Sequence, residues 1–93
     1  MLTHVVLMKF TDPGDASHAE HLLAGLRGRI PEISALTVKL DELRTPVSYD
    51  LCLITEHDTA EHLRAYQEHH AHLEVARWLR PRLAARAVVD FQT

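Results

Sequence analysis

Three histidines stand within four positions in the stretch Tyr66-Gln67-Glu68-His69-His70-Ala71-His72, with a tyrosine just ahead of them. Imidazole is the side chain whose ordinary pKa lies nearest neutrality, so no other segment concentrates as many groups able to trade protons near neutral pH. A second chemistry is open to the same residues. His69 and His72 are three apart, which on a helix puts them on a common side, and His62, Glu68 or Glu74 are types that could join them around a metal. No metal set is assigned, because the chain has no His-Glu-x-x-His pattern and, as argued next, the helix carrying these residues must break.

The elements that position this cluster can be read from periodicity. Thr3 to Phe10 reads as a strand followed by the turn residues Thr11-Asp12-Pro13-Gly14. One alternate set is Thr3, Val5, Leu7 and Lys9, and the other is His4, Val6, Met8 and Phe10, so apolar residues point both ways. A strand wet on one side would alternate more cleanly. Asp15 is placed to cap a helix running to about Gly28, with Ala16, Ala19, Leu22, Leu23 and Leu26 at helical spacing. His18 and His21 fall on its polar flank and read as solvated. Ile33 to Leu40 is a second strand, Asp41 to Pro46 a loop, and Ser48 to Glu56 a third strand with bulk on both faces.

Asp58-Thr59-Ala60-Glu61 resembles a capping box opening a second helix. Its first apolar stripe, Ala60, Leu63 and Tyr66, does not continue in phase with Leu73, Ala76 and Leu79. At about 100° per residue the two stripes are centred on nearly opposite sides, so one straight helix cannot bury both. A bend is required, and the histidines sit in it. Pro81 ends or restarts the helix, and Ala87 to Phe91 is a short last strand.

The order β, α, β, β, α, β is the ferredoxin-like split arrangement, an α+β fold with both helices on one face of an antiparallel sheet. The other face is left bare although its residues are apolar. A second copy laid sheet to sheet, giving a symmetric homodimer with a barrel-like interior, is the simplest way to cover it.

Composition sets the outer bounds. Ninety-three residues make a single domain, residues 1–93, near the small end of what one core holds folded. An apolar share of 46% and a charged share of 25% are ordinary for a globular protein, and no run is long enough to span a membrane. The first ten residues carry His4 and Lys9 and precede no small-residue cleavage site, so a cytoplasmic location is the expectation. A formal charge of −3 with no basic stripe argues against nucleic acid as a partner. The eight histidines make that charge sensitive to mild acid. Cys52, the only cysteine, lies in Leu51-Cys52-Leu53-Ile54 and reads as a buried structural thiol.

Taken together, His4-Val5-Val6-Leu7-Met8-Lys9-Phe10, Tyr66 with His69 and His72, Pro81 and the closing Val88-Val89-Asp90-Phe91 resemble the stress-responsive A/B barrel (Dabb) family of dimeric α+β barrels. The resemblance spans nearly the whole chain. It departs at one point, because the family commonly has His-Pro-x-His where this chain has His70 in place of proline. That leaves room for a softer bend, or for an extra imidazole in the pocket.

The resemblance implies a homodimer and a cavity between sheet and helices in each subunit. Plant polyketide cyclases of the olivetolic acid cyclase type, which are similar, close a linear polyketide thioester by an intramolecular aldol reaction without a cofactor. Their catalytic histidine matches His72 and their pocket tyrosine matches Tyr66. An aldol closure needs a base for the proton α to a carbonyl and a donor for the enolate or receiving oxygen, roles that suit His72 and Tyr66 respectively. Asp90 is the candidate for holding the imidazole tautomer. His4 and His69 are candidates for contacting substrate, although the strand pattern alone leaves open which face of the first strand lines the pocket. The alternative is a small module that binds a hydrophobic ligand or serves in stress tolerance without turnover. Cofactor-independent monooxygenation, found in other dimeric α+β barrels, has no residue pattern of its own here.

Overall fold

A computed structural model describes all residues, 1–93. Its elements are β1 (Leu2–Phe10), α1 (Asp15–Ala24), β2 (Ala35–Leu40), β3 (Leu51–His57), α2 (Ala60–Glu68), α3 (His70–Leu79) and β4 (Leu83–Gln92), with a 3₁₀ turn at Arg80–Arg82 before the last strand. The four strands form one antiparallel sheet in the order β2-β3-β1-β4, the ferredoxin-like α+β arrangement.

Register decides what each face carries. His4 lies opposite Thr55 of β3 and Asp90 of β4, and Val6 lies opposite Leu53 and Val88. The even set of β1 therefore shares a face with Leu51, Leu53, Thr55 and His57, all of them buried, and with Leu36 and Val38 of β2. The helices cover this face, contributing Ala16, Ala19, Leu23, Leu63, Tyr66, Ala71, Val75 and Leu79 to one continuous core. Each fully buried Leu or Val side chain there contributes about 1.5–3 kcal/mol. On the opposite face Val5, Leu7, Cys52 and Ile54 are half-buried, and Val89 and Phe91 are exposed. Cys52 thus lies on the open face rather than in the core, with burial by its neighbours pushing its thiol pKa up.

Several boundaries differ from the sequence expectation for identifiable reasons. α1 ends at Ala24, four residues early, because Gly25 caps it and the chain continues through turns bonded to Leu23 and Ala24. Asp15 is the first helical residue rather than the cap; Asp12 accepts the Gly14 amide at 2.9 Å and closes the preceding turn. At α2 the cap is Thr59, whose hydroxyl accepts from His62 N at 3.1 Å, while Asp58 bonds Ser34. β3 begins only at Leu51, since Asp50 is turned inward to accept the Phe10 amide at 2.7 Å and pair with Arg44 at 2.8 Å. β4 is longer than expected because nine of its residues pair with β1, across an irregularity at Lys9/Phe10. No helix is long and apolar enough to cross a membrane.

The predicted bend is present between α2 and α3. His69 has φ −64° and ψ 137°, an extended conformation that ends one helix and begins the next. α2 buries Leu63 and Tyr66, and α3 buries Ala71, Val75, Ala76 and Leu79. Helical phase places Leu73 in the second stripe, yet it is 41% exposed, because the turn at His69 rotates α3 so that Ala71 and Val75 are the buried positions.

Candidate active site

The helix junction determines how the central imidazole is held. In an unbroken helix the Ala71 amide would bond the Gln67 carbonyl. Here that amide goes to Nδ1 of His69 at 3.1 Å, so His69 caps α3 and the Gln67 carbonyl is left open. His72 fills the vacancy, donating from Nδ1 to the Gln67 oxygen at 2.9 Å. A carbonyl only accepts, so the proton sits on Nδ1 and the Nε2 lone pair is free. His72 and Gln67 both line a cavity of about 280 Å³ between sheet and helices. The bend thus presents a ring nitrogen able to take a proton and fixes the tautomer that makes it available.

Tyr66, on the last turn of α2, is only 1% exposed and lines the same cavity. Its ring meets His72 edge-on with centroids 4.7 Å apart and lies against His57 at 5.2 Å. No buried polar side-chain atom lacks a partner, yet the phenol oxygen bonds no protein group, so it is the cavity that this hydroxyl reaches. Burial pushes its pKa up to about 12, countered in part by the Arg86 charge, so it stays a donor throughout the working range. For His72 burial is the largest influence and lowers the pKa below 6.5. The Gln67 hydrogen bond opposes it, while Arg80, Arg86 and His4 push further down. A buried imidazole held neutral is a competent base.

His4 projects from β1 onto the helix face and into the cavity, which resolves the open question of that strand's pocket face. Its Nδ1 donates to Asp90, directly opposite on β4. The expected role of Asp90 therefore changes: it orients His4, and the tautomer of His72 is held by a backbone carbonyl. His69 also moves out of its expected role, since its ring turns back to cap α3 and does not line the cavity. His70 is exposed and stacked on His69 with centroids 4.8 Å apart, so it adds no imidazole to the pocket, and the bend is sharp without a proline. No three His, Cys, Asp or Glu side chains gather where they could hold a metal ion.

Four residues of the site were not singled out from sequence. His57, fully buried, donates from Nδ1 to the Glu32 carbonyl at 2.8 Å and accepts at Nε2 from the Thr55 hydroxyl at 2.9 Å. With both nitrogens engaged it supports Tyr66 from behind, and burial lowers its pKa. Gln67 supplies the orienting carbonyl. Arg80 and Arg86 line the cavity wall with Leu79 and Leu83. Helical spacing does carry a signal for Arg80, which follows His72 and Ala76 at four-residue steps, and period-two spacing carries one for Arg86 with Val88 and Asp90.

Comparisons with known proteins show the family and the fold. A model of the stress responsive A/B barrel domain matches residues 2–93. The chain belongs to this family. Among solved structures, a dimeric ferredoxin-like protein of unknown function from Thermobifida fusca YX is 26% identical, with a TM-score of 0.87 over 99% of this chain and 90% of that one. A dimeric ferredoxin-like protein of unknown function from Bacteroides fragilis is 22% identical, with a TM-score of 0.86 over 99% and 95%. A hydroxynitrile lyase from Passiflora edulis shares the fold at 12% identity, with a TM-score of 0.79 over 97% and 90%. No curated protein matches.

Proposed function

We propose that this Dabb domain is a cofactor-independent enzyme of the polyketide cyclase kind, closing a hydrophobic polycarbonyl compound by an intramolecular aldol reaction. The observation that carries the reading is the His72 ring, with Nδ1–H bonded to the Gln67 carbonyl, Nε2 free and the ring edge-on to that of Tyr66 in one largely apolar cavity. Nε2 removes a proton α to a carbonyl, leaving an enolate whose oxygen the Tyr66 hydroxyl holds. The enolate carbon attacks a second carbonyl carbon of the same molecule, forming the new carbon–carbon bond. The alkoxide so formed takes the proton back from Nε2, and His72 returns to its starting state. His4, fixed by Asp90, offers a further polar contact to the bound molecule. The cavity, at about 280 Å³, is near the lower end of the range for ligand pockets and suits a single ring with a short chain.

The working unit in this proposal is a homodimer joined through the open sheet face. Support comes from Val5, Leu7, Ile54, Val89 and Phe91, which form an apolar surface on that face, and from the dimeric state named for the Thermobifida and Bacteroides proteins. The test of function is turnover of linear β-polyketone thioesters followed by mass spectrometry. A folded His72→Gln variant is expected to lose about 10²- to 10⁴-fold in rate. If wild type and variant both hold such compounds and neither converts them, the protein is a binding module and the catalytic reading is wrong.

A further inference from the structure

The cavity wall carries two arginines that the aldol steps do not use. Arg80 stands just past α3 and Arg86 lies on β4 opposite Met8; both line the cavity and both are exposed, so each side chain belongs to the cavity wall and to the solvent surface. Neither makes a side-chain hydrogen bond or an ion pair; the arginine pairing in this protein is Arg44 with Asp41 and Asp50. Arg82, between them in sequence, is by contrast occupied, donating to the Trp78 carbonyl at 2.8 Å and stacking 4.3 Å over the Trp78 ring. So the two arginines that face the cavity are free and the one that does not is tied down.

No carboxylate lines the cavity to answer them. Asp90 is the acid sharing the β4 face with Arg86, but it does not line the cavity, and one of its oxygens is held by His4. In a chain with a net charge of −3, two cations without a protein partner at one largely apolar cavity raise the local potential and favour an anion there. Guanidinium is also the side chain best shaped for planar, two-point contact with a carboxylate or phosphate.

We infer that the ligand of this cavity bears a permanent anionic oxygen group, a carboxylate or a phosphate, held at the mouth by Arg80 and Arg86 while its uncharged end reaches Tyr66 and His72. This rests on reading the cavity as a ligand site, and it adds the polarity and direction of the molecule: charge outward, carbonyl inward. A neutral polyketone is then a poorer ligand than its acid or its phosphate-bearing conjugate.

The test uses three probes of one shape, 2-naphthoate, 2-naphthamide and 2-naphthyl phosphate, with the intact protein at pH 7.5 and dissociation constants read from NMR shifts of the His72 ring and cavity methyls. The naphthoate is expected to bind at least about tenfold more tightly than the amide, the scale of one charge-assisted hydrogen bond. Raising the salt should narrow that gap. In the Arg80→Gln/Arg86→Gln double variant the acid should fall to the affinity of the amide, while the amide, which also reports that the cavity is intact, is unchanged. Whichever of carboxylate and phosphate binds tighter in wild type identifies the anion. Equal binding of acid and amide, or equal weakening of both in the double variant, overturns the inference and leaves the cavity a ligand site. Failure of every probe to shift the His72 ring overturns both.

Discussion

His70→Pro tests the helix junction, the feature on which the orientation of His72 depends. Proline normally disrupts a helix because it lacks an amide hydrogen and crowds the preceding residue out of the helical region. Position 70 removes both objections. It is the first residue of α3, where an amide has no acceptor within the helix, and its N–H makes no backbone hydrogen bond outside it. The residue before it, His69, already has φ −64° and ψ 137°, the conformation a following proline demands. What remains is the entropy lost by the unfolded chain, a stabilisation of about 0.4–1 kcal/mol. The cost is the exposed stacking of His70 on His69, a small offset. A net gain of about 0.5 kcal/mol should raise Tm by about 2–4 °C in a domain of this size. Thermal and urea melts at one fixed protein concentration would measure it, since any association adds to apparent stability. A loss of more than about 1 kcal/mol would mean that residue 70 is not where α3 starts, and the account of the Gln67 carbonyl would fall with it.

Three further outcomes follow from the same structure. His69→Ala removes the acceptor of the Ala71 amide and should cost about 1 kcal/mol, a typical helix cap, whereas His70→Ala should change stability by less than about 0.5 kcal/mol; equal effects would contradict the capping role. His57 and His72 have folded-state pKa values lowered from 6.5, so the unfolded chain binds more protons than the folded one below that pH. Stability is therefore complete above pH 6.5 and declines as the pH falls toward the folded values, by at most about 1.4 kcal/mol per pH unit for the fully buried His57. His57→Gln should start less stable yet show a shallower decline in urea melts between pH 7.5 and 5.5; a slope as steep as wild type would remove His57 from that role. Finally, Val89→Lys on the open face would introduce a charge twice into the proposed two-fold interface, and should weaken self-association at least about a hundredfold in sedimentation measurements. Unchanged self-association would place the interface elsewhere.

How much of this was legible beforehand depended on whether the signal was local. Apolar residues on both alternate sets of β1, and the clash of phase between Leu63-Tyr66 and the later stripe, are short-range facts, and they point to the apolar residues found on both sheet faces and to the bend at the histidines. Tyr66 and His72 do share a cavity. The identity of each partner, however, was set at long range. Asp90 meets His4 because β1 and β4 pair in a register joining residues 86 apart, and no local pattern encodes that register. His57 lies one residue beyond the strand expected from sequence, which ends at Glu56, and its burial depends on the bond to the Glu32 carbonyl, 25 residues away in the chain. His69 and His72 have the same chemistry and lie only three positions apart, but the backbone turn at His69 sends one ring to an amide and the other to a carbonyl. Arg80 and Arg86 come together only when the last strand returns beside β1.

The base proposed here is a neutral His72 whose free nitrogen is Nε2, and that state can be read without any substrate. Long-range proton–nitrogen NMR of the imidazole rings across a pH titration reads both the tautomer and the pKa of His72. The structure requires the Nδ1–H tautomer, with titration below 6.5 and a rise in that pKa when Arg80 and Arg86 are replaced by glutamine. A ring carrying its proton on Nε2, or titrating at or above 6.5 like a solvated histidine, would contradict the account at its root.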